Sequence, residues 1–112
     1  MDDRYTALRQ RLVDAVLNSS GASDPTVRRA VEARAAAIGG RASATTSAVP
    51  QALAPYVDKV AGRAYTVTDE DVAALRQAGY SEDAIFEITI SAALGAAMAR
   101  LERGLVALKG DD

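Results

Sequence analysis

The chain has 112 residues, of which 49% are hydrophobic and 25% are charged, and its formal net charge is −2. This length and balance predict one globular domain over residues 1–112, and the slight acidity argues against nucleic acid or an anionic membrane as a partner. Cysteine and histidine are absent from the sequence. Disulfides and thiol chemistry are therefore excluded. Because the commonest metal ligand and general base are missing, we expect no metal and no cofactor.

The N-terminal third of the chain, residues 1–38, predicts a pair of helices. Apolar side chains recur on one stripe between arginines over residues 3–18, which is typical of an amphipathic helix. Asp24 and Pro25 then predict the start of a second helix, because Asp is a favoured N-cap and Pro fits the first helical position. Gly39 marks the predicted end of this helix.

Residues 39–49 contain two adjacent glycines and a run of small polar side chains, which predicts a flexible connection. Beyond this connection, residues 50–112 predict a helical core. Pro55 falls in the first turn of a third helix. A fourth helix begins with Thr68 as its N-cap and ends at Gly79, which can adopt the left-handed turn that closes many helices.

The fifth predicted helix begins after Ser81 and is apolar almost all the way round from Ala84 to Ala99. A helix that is apolar on every face lies inside a structure rather than on its surface. Past Arg100 the pattern becomes amphipathic again. Because the sequence shows no strand-like alternation of useful length, the chain is predicted to be all-α, with about five helices and this alanine-rich helix at the centre.

Two features predict a cytoplasmic protein without a membrane span. The N-terminal segment is acidic and then amphipathic, and it shows no apolar core of a secretory signal. The most apolar run, residues 88–99, is shorter than the roughly 20 residues that a membrane-spanning helix needs.

A motif between the fourth and fifth helices indicates a family. Residues 75–87 read L-R-x-x-G-Y-S-x-x-x-I-F-E, and the alanine-rich helix follows them. With this motif, residues 56–108 resemble the alkylhydroperoxidase D-like, or carboxymuconolactone decarboxylase-like, superfamily. The resemblance implies a helical bundle that assembles through its alanine-rich helices into trimers, hexamers or related homo-oligomers.

The redox members of that superfamily carry a C-x-x-C-x-x-x-H motif shortly before this segment. Counting back from Gly79 places the two cysteine positions at Ala64 and Val67 and the histidine position at Asp71. Neither alanine nor valine can form a thiolate or a disulfide. The resemblance therefore supports the fold but not the peroxidase activity.

Asp71 and Tyr65 are two candidate site residues. Asp71 stands in the histidine position, where it would suit a general base. However, Thr68 three residues before it indicates a capping box that starts a helix, and we favour this interpretation. Tyr65 has a hydroxyl that can donate to a developing oxyanion, although a half-buried tyrosine with its hydroxyl in water is the commoner arrangement.

Glu87 is the third candidate, because it precedes the most apolar run of the chain. Apolar surroundings would raise the pKa of this carboxyl and suit it to acid–base chemistry. An ion pair with Arg76 or with the fourth candidate, Arg100, is the interpretation that we favour, because a buried charge is driven to find a partner.

Three arginines of the second helix, Arg28, Arg29 and Arg34, form a local basic patch. Such a patch can bind an anion. With Glu32 among the arginines, the pattern is more typical of a solvated helix face.

Two functions fit these residues. The first is a non-redox helical protein that works through self-assembly or by binding a protein partner or a small ligand. The second is a cofactor-free enzyme of the decarboxylase-like or lactone-processing kind, in which Glu87, Asp71, Tyr65 or Arg100 would act on a small organic acid or lactone. We favour the first. A closed polar pocket around Glu87 would favour the enzyme, and a packed interface would favour assembly.

The amount of apolar surface also predicts a homo-oligomer. Aromatic residues make up only 4% of the chain, so the core of a single copy is thin, and burial between copies is favourable. We expect the helix over residues 84–99 to form part of the interface, with Gly95 and Ala96 at a close helix crossing.

Because the chain lacks cysteine, we predict no thiol-dependent peroxidase activity. The test is a coupled assay with an organic hydroperoxide and a thiol reductant system, with boiled protein as the control. Turnover clearly above that control in metal-free protein would contradict the prediction.

Overall fold

A computed structural model of the chain describes residues 3–41 and 48–109, and this part contains helices and no strand. Its five α-helices confirm the predicted all-α fold. A π-helical segment, Asp14–Asn18, continues the first helix, and a 3₁₀ turn, Ala64–Thr66, follows the third. The α-helices are α1 (Asp3–Val13), α2 (Pro25–Ile38), α3 (Ala54–Arg63), α4 (Asp69–Gln77) and α5 (Glu82–Lys109).

Three helices begin where side chains of the predicted type satisfy their first backbone N–H groups. Asp24 accepts a hydrogen bond from the Thr26 N–H at 2.8 Å. Thr68 and Asp71 form the predicted capping box at the start of α4. The Ser81 hydroxyl accepts from the backbone N–H of α5's third residue at 3.1 Å. After α4, Gly79 adopts a positive φ of 105°, as predicted for the residue that ends this helix.

The core lies where α5 packs against α2 and α3. Small side chains line this interface, so the helix backbones approach closely. Its buried residues are Val31, Ala35, Leu53, Tyr56, Val57, Ala61, Leu75, Ile85, Ile88, Ala92 and Ala96.

Gly95 lies at a close approach between α2 and α5. A Cβ atom at Gly95 would lie 3.2 Å from the Ala36 nitrogen and in closer contact with the Glu32 carbonyl group. Gly95 and Ala96 are both buried inside the chain. The predicted close helix crossing at these residues therefore exists, but the helix that crosses α5 there is α2 of the same chain. The prediction that they meet another subunit is wrong.

α5 is buried along one face rather than on every side, so that part of the sequence prediction is wrong. Its opposite face is exposed, with 64% of Phe86 accessible, and most side chains beyond Leu101 are exposed as the helix extends past its neighbours.

α5 has 28 residues in one helix, and by length and composition alone it could cross a membrane. The predicted apolar run, residues 88–99, is the middle part of this helix, and 44% of the most apolar 18-residue window is buried inside the fold.

Residues 42–47 of the predicted flexible connection lie outside the described part of the chain. The residues just before them are held in place. The backbone N–H of Arg41 donates to the Ala36 carbonyl at 2.9 Å. The Arg41 guanidinium donates to the carboxylates of Glu32 and Glu102, at 3.0 Å and 3.1 Å.

We predict that Gly95→Ala destabilises the protein by about 1–3 kcal/mol, because the added methyl group would be forced into the α2 backbone. Gly62→Ala is the matched control. A Cβ atom at Gly62 would make an ordinary contact of 3.5 Å with Ile38, so greater helix propensity should leave stability unchanged or raise it by up to about 1 kcal/mol. Denaturant unfolding of both variants is the measurement. Equal stabilities would contradict the close crossing.

Candidate functional site

Glu87 binds the connection between the π-helical segment and α2. Its Oε2 accepts a hydrogen bond from the Ala22 N–H at 2.8 Å. Its Oε1 accepts from both the backbone N–H of Ser23 at 2.8 Å and the Ser23 hydroxyl at 2.6 Å. The carboxylate thus accepts three hydrogen bonds from a segment that is more than sixty residues away in the chain.

The prediction that Glu87 forms an ion pair with Arg76 or Arg100 is wrong. Arg76 pairs with Glu82 at 2.8 Å on the surface. Arg100 donates to the Ala61 carbonyl oxygen at 2.7 Å, on α3. The expectation of a raised Glu87 pKa is also wrong. The Ser23 hydroxyl, followed by the Ala22 N–H, lowers the pKa of Glu87 because these donors stabilise its charged form.

Arg28 lies on the other side of the same connection and is only 2% exposed. The predicted solvated face is therefore wrong for this arginine. Its Nη1 donates to the Val16 carbonyl at 3.0 Å, and its Nη2 donates to the Ser19 carbonyl. Its Nε has no hydrogen-bond partner among the described residues. The neighbouring arginine of the patch, Arg29, donates to Asn18 on the surface at 3.0 Å.

We call Glu87, Ser23 and Arg28 the clasp, because they hold both sides of one connection. The arginine binds carbonyl oxygens where a helix ends, and the carboxylate binds N–H groups just before the next helix begins. Each charge therefore matches the partial charge of the helix end beside it. The clasp borders an open pocket of about 170 Å³, lined by Ala15, Val16, Ser19, Arg28, Phe86, Glu87 and Ile90.

Asp71 lies at a second pocket, and its predicted role in a capping box is confirmed. Its Oδ2 accepts from Lys59 Nζ at 2.8 Å and from the Thr68 N–H at 2.9 Å. The Lys59 ammonium, followed by the Thr68 N–H, lowers the pKa of Asp71. This pocket has a volume of about 180 Å³ and is lined by Ala52, Pro55, Tyr56, Lys59, Asp71, Ala74 and Leu75.

The other two candidates lie apart from these pockets. Tyr65 is 87% exposed on the 3₁₀ turn, and Arg100 lies on α5 with its guanidinium at the α3 backbone. Neither residue lines the two pockets. The four candidates therefore do not converge on one site. The redox positions before Asp71 fall on the exposed Ala64 and the partly buried Val67.

Tyr56 is a polar core residue that the sequence reasoning did not select as a site residue. Its hydroxyl lies 2.7 Å from the Thr89 hydroxyl, and Thr89 in turn donates to the Ile85 carbonyl at 2.7 Å. Nothing in the local sequence marks this pair, because the two residues come from different helices.

In the described part of the chain, no three acidic side chains lie close enough to hold a metal ion.

The exposed face of α5 carries a row of apolar residues opposite its buried face. The spacing of three and four residues places them on one side of the helix. Phe86 is 64% exposed and Leu108 is 82% exposed. We call this set the exposed row, and its members are Phe86, Ile90, Ala93, Ala97, Leu101, Gly104 and Leu108. Ile90 is half-buried, since it also lines the pocket beside the clasp.

Comparison of the chain with protein-family models, with curated proteins and with solved structures found no match.

We predict that Glu87→Gln lowers the free energy of unfolding by about 1–2 kcal/mol at pH 7, because an amide cannot accept all three hydrogen bonds. The folded pKa of Glu87 lies below its unfolded value, so this contribution is present above about pH 4.3 and is lost as the pH falls through the folded pKa. The stability difference from wild type should therefore shrink in acid.

Glu82→Gln is the matched control for this prediction. Glu82 pairs with Arg76 on the surface, where such pairs contribute roughly 0–1 kcal/mol. Denaturant unfolding at pH 7 and at pH 3 separates the two variants. A loss in Glu82→Gln as large as that in Glu87→Gln, or a Glu87→Gln loss that does not change with pH, would argue against the clasp.

Proposed function

We propose that the protein is a non-redox, alkylhydroperoxidase D-like helical protein that works by self-assembly through the exposed face of α5. The observation that carries this proposal is the exposed row, which places Phe86 and Leu108 in water near the two ends of one long helix. Monomeric proteins rarely expose a contiguous apolar patch of more than a few hundred Å². A partner that covers the row would remove this surface from water.

The position of the row within the fold supports the same proposal. The π-helical segment borders one edge of the row, where it lines a pocket together with Phe86 and Ile90. The hydrogen bond from Arg100 to Ala61 places α3 near the other side. The row between them is left open, and the last turns of α5 extend beyond these neighbours.

The enzyme alternative gains less support from the same geometry. Glu87 and Asp71 both have lowered pKa values. Both oxygens of Glu87 and Oδ2 of Asp71 accept hydrogen bonds from the protein. A carboxylate with a lowered pKa is a weaker general base, and it is ionised at neutral pH, when a general acid would need a proton. Each carboxylate also serves an evident structural purpose, at the clasp and at the cap of α4.

The test of self-assembly is size exclusion coupled to light scattering at tens of micromolar protein. Wild type should exceed the monomer mass of 11.7 kDa. Phe86→Gln combined with Leu108→Gln should reduce the mass toward that of the monomer. The matched control is Val106→Gln, because Val106 is also exposed, at 59%, but lies on the other side of α5 from the row.

A wild-type monomer under these conditions would contradict the proposed function. A double variant that assembles as wild type does would place the interface elsewhere on the molecule.

A further inference from the structure

The exposed row is self-complementary about Ala97. At four and at seven residues from this alanine, a small side chain in one direction along the helix corresponds to a large side chain in the other. At eleven residues from it, the side chains in both directions are large. The pairs are Ala93 with Leu101, Ile90 with Gly104, and Phe86 with Leu108.

We propose that two copies of the chain pair antiparallel along α5, with the two-fold axis beside Ala97. This inference depends on the self-assembly proposed above and specifies its geometry. In a two-fold symmetric contact, each residue before the axis faces the residue an equal distance after it on the other copy. The large side chains of one row then fill the places where the other row is small.

Gly104 provides the clearest observation for this register. A Cβ atom at Gly104 would have no neighbour within 4 Å, so the row has an open notch at this point. In the antiparallel pair, Ile90 of the second copy enters that notch. In a parallel pair in register, the two Gly104 residues would face one another and leave a gap, which forfeits packing contacts.

Charge and area are also consistent with the antiparallel pair. A parallel pair would bring Glu82 and Asp83 in the first turn of α5 beside the same two residues of the other copy and would align the two helix dipoles. The row is about 33 Å long at the helical rise of about 1.5 Å per residue. Two such rows with their flanking side chains would bury on the order of 1,000 Å², which is near the lower limit for a specific interface.

Arg100 and Glu87 are charged residues that border the row between its ends. The Arg100 guanidinium donates to the Ala61 carbonyl on α3, and the Glu87 carboxylate is bound in the clasp. The row itself contains no charged residue, as is typical of an interface core.

Single-cysteine cross-linking tests the geometry directly, because the chain has no cysteine of its own. Under mild oxidation, Ala97→Cys should form disulfide-linked dimers. Ala93→Cys alone should not, because its two copies would be displaced by about 12 Å along the helices, beyond the reach of a disulfide. A mixture of Ala93→Cys and Leu101→Cys should form the mixed dimer.

Gly104→Leu gives an independent test of the notch. This change adds apolar surface and helix propensity, so nonspecific apolar association would become stronger. In the antiparallel register the new side chain fills the space of Ile90, and the dimer should dissociate about tenfold more readily. The double variant Gly104→Leu with Ile90→Ala should recover much of the loss, and circular dichroism should show unchanged helix content in both.

The outcomes separate this geometry from self-assembly itself. Self-linking of Ala93→Cys as well as Ala97→Cys would show a parallel pair and overturn the antiparallel register. An assembled wild type with no cross-linking at either position would overturn the antiparallel register about Ala97, while self-assembly would stand. A monomeric wild type would overturn both.

Discussion

The close crossing of α2 and α5 at Gly95 is the constraint on which the rest of the structure depends. A side chain at this position would collide with the Glu32 carbonyl group of α2. Alanines around the crossing let the two backbones approach, so that many weak dispersion contacts replace the large side chains that the sequence lacks. With aromatic residues at 4% of the chain, close backbone packing compensates for the shortage of large side chains in this core.

The same crossing determines which surface of α5 remains in water. Once α2 covers one face and α3 and the π-helical segment lie at the sides, the exposed row points away from the bundle. A helix with apolar residues on every side cannot bury all of them against so few neighbours. The proposed pairing of two copies follows from this shortage of covering surface, and the size pattern around Ala97 indicates how the second copy would fit.

The clasp shows a second consequence of tertiary packing. Arg28 and Glu87 are both charged, yet each is satisfied mainly by uncharged groups: Arg28 by carbonyl oxygens at the end of the π-helical segment, and Glu87 by N–H groups and a hydroxyl before α2. Buried or partly buried charges need hydrogen-bond donors or acceptors, and helix ends supply them. The clasp thereby fixes the path of the chain between its first two helices and lowers the pKa of Glu87.

The sequence by itself determined the all-α class, the helix starts at Asp24, Thr68 and Ser81, and the turn at Gly79, because each depends on groups within about four residues in the chain. The capping role of Asp71 could be predicted for the same reason. Only the tertiary structure decided the partners of Glu87, the burial of Arg28 and the helix that meets Gly95. These contacts join segments far apart in the chain, and local side-chain patterns carry no information about which distant backbone groups folding will bring beside them.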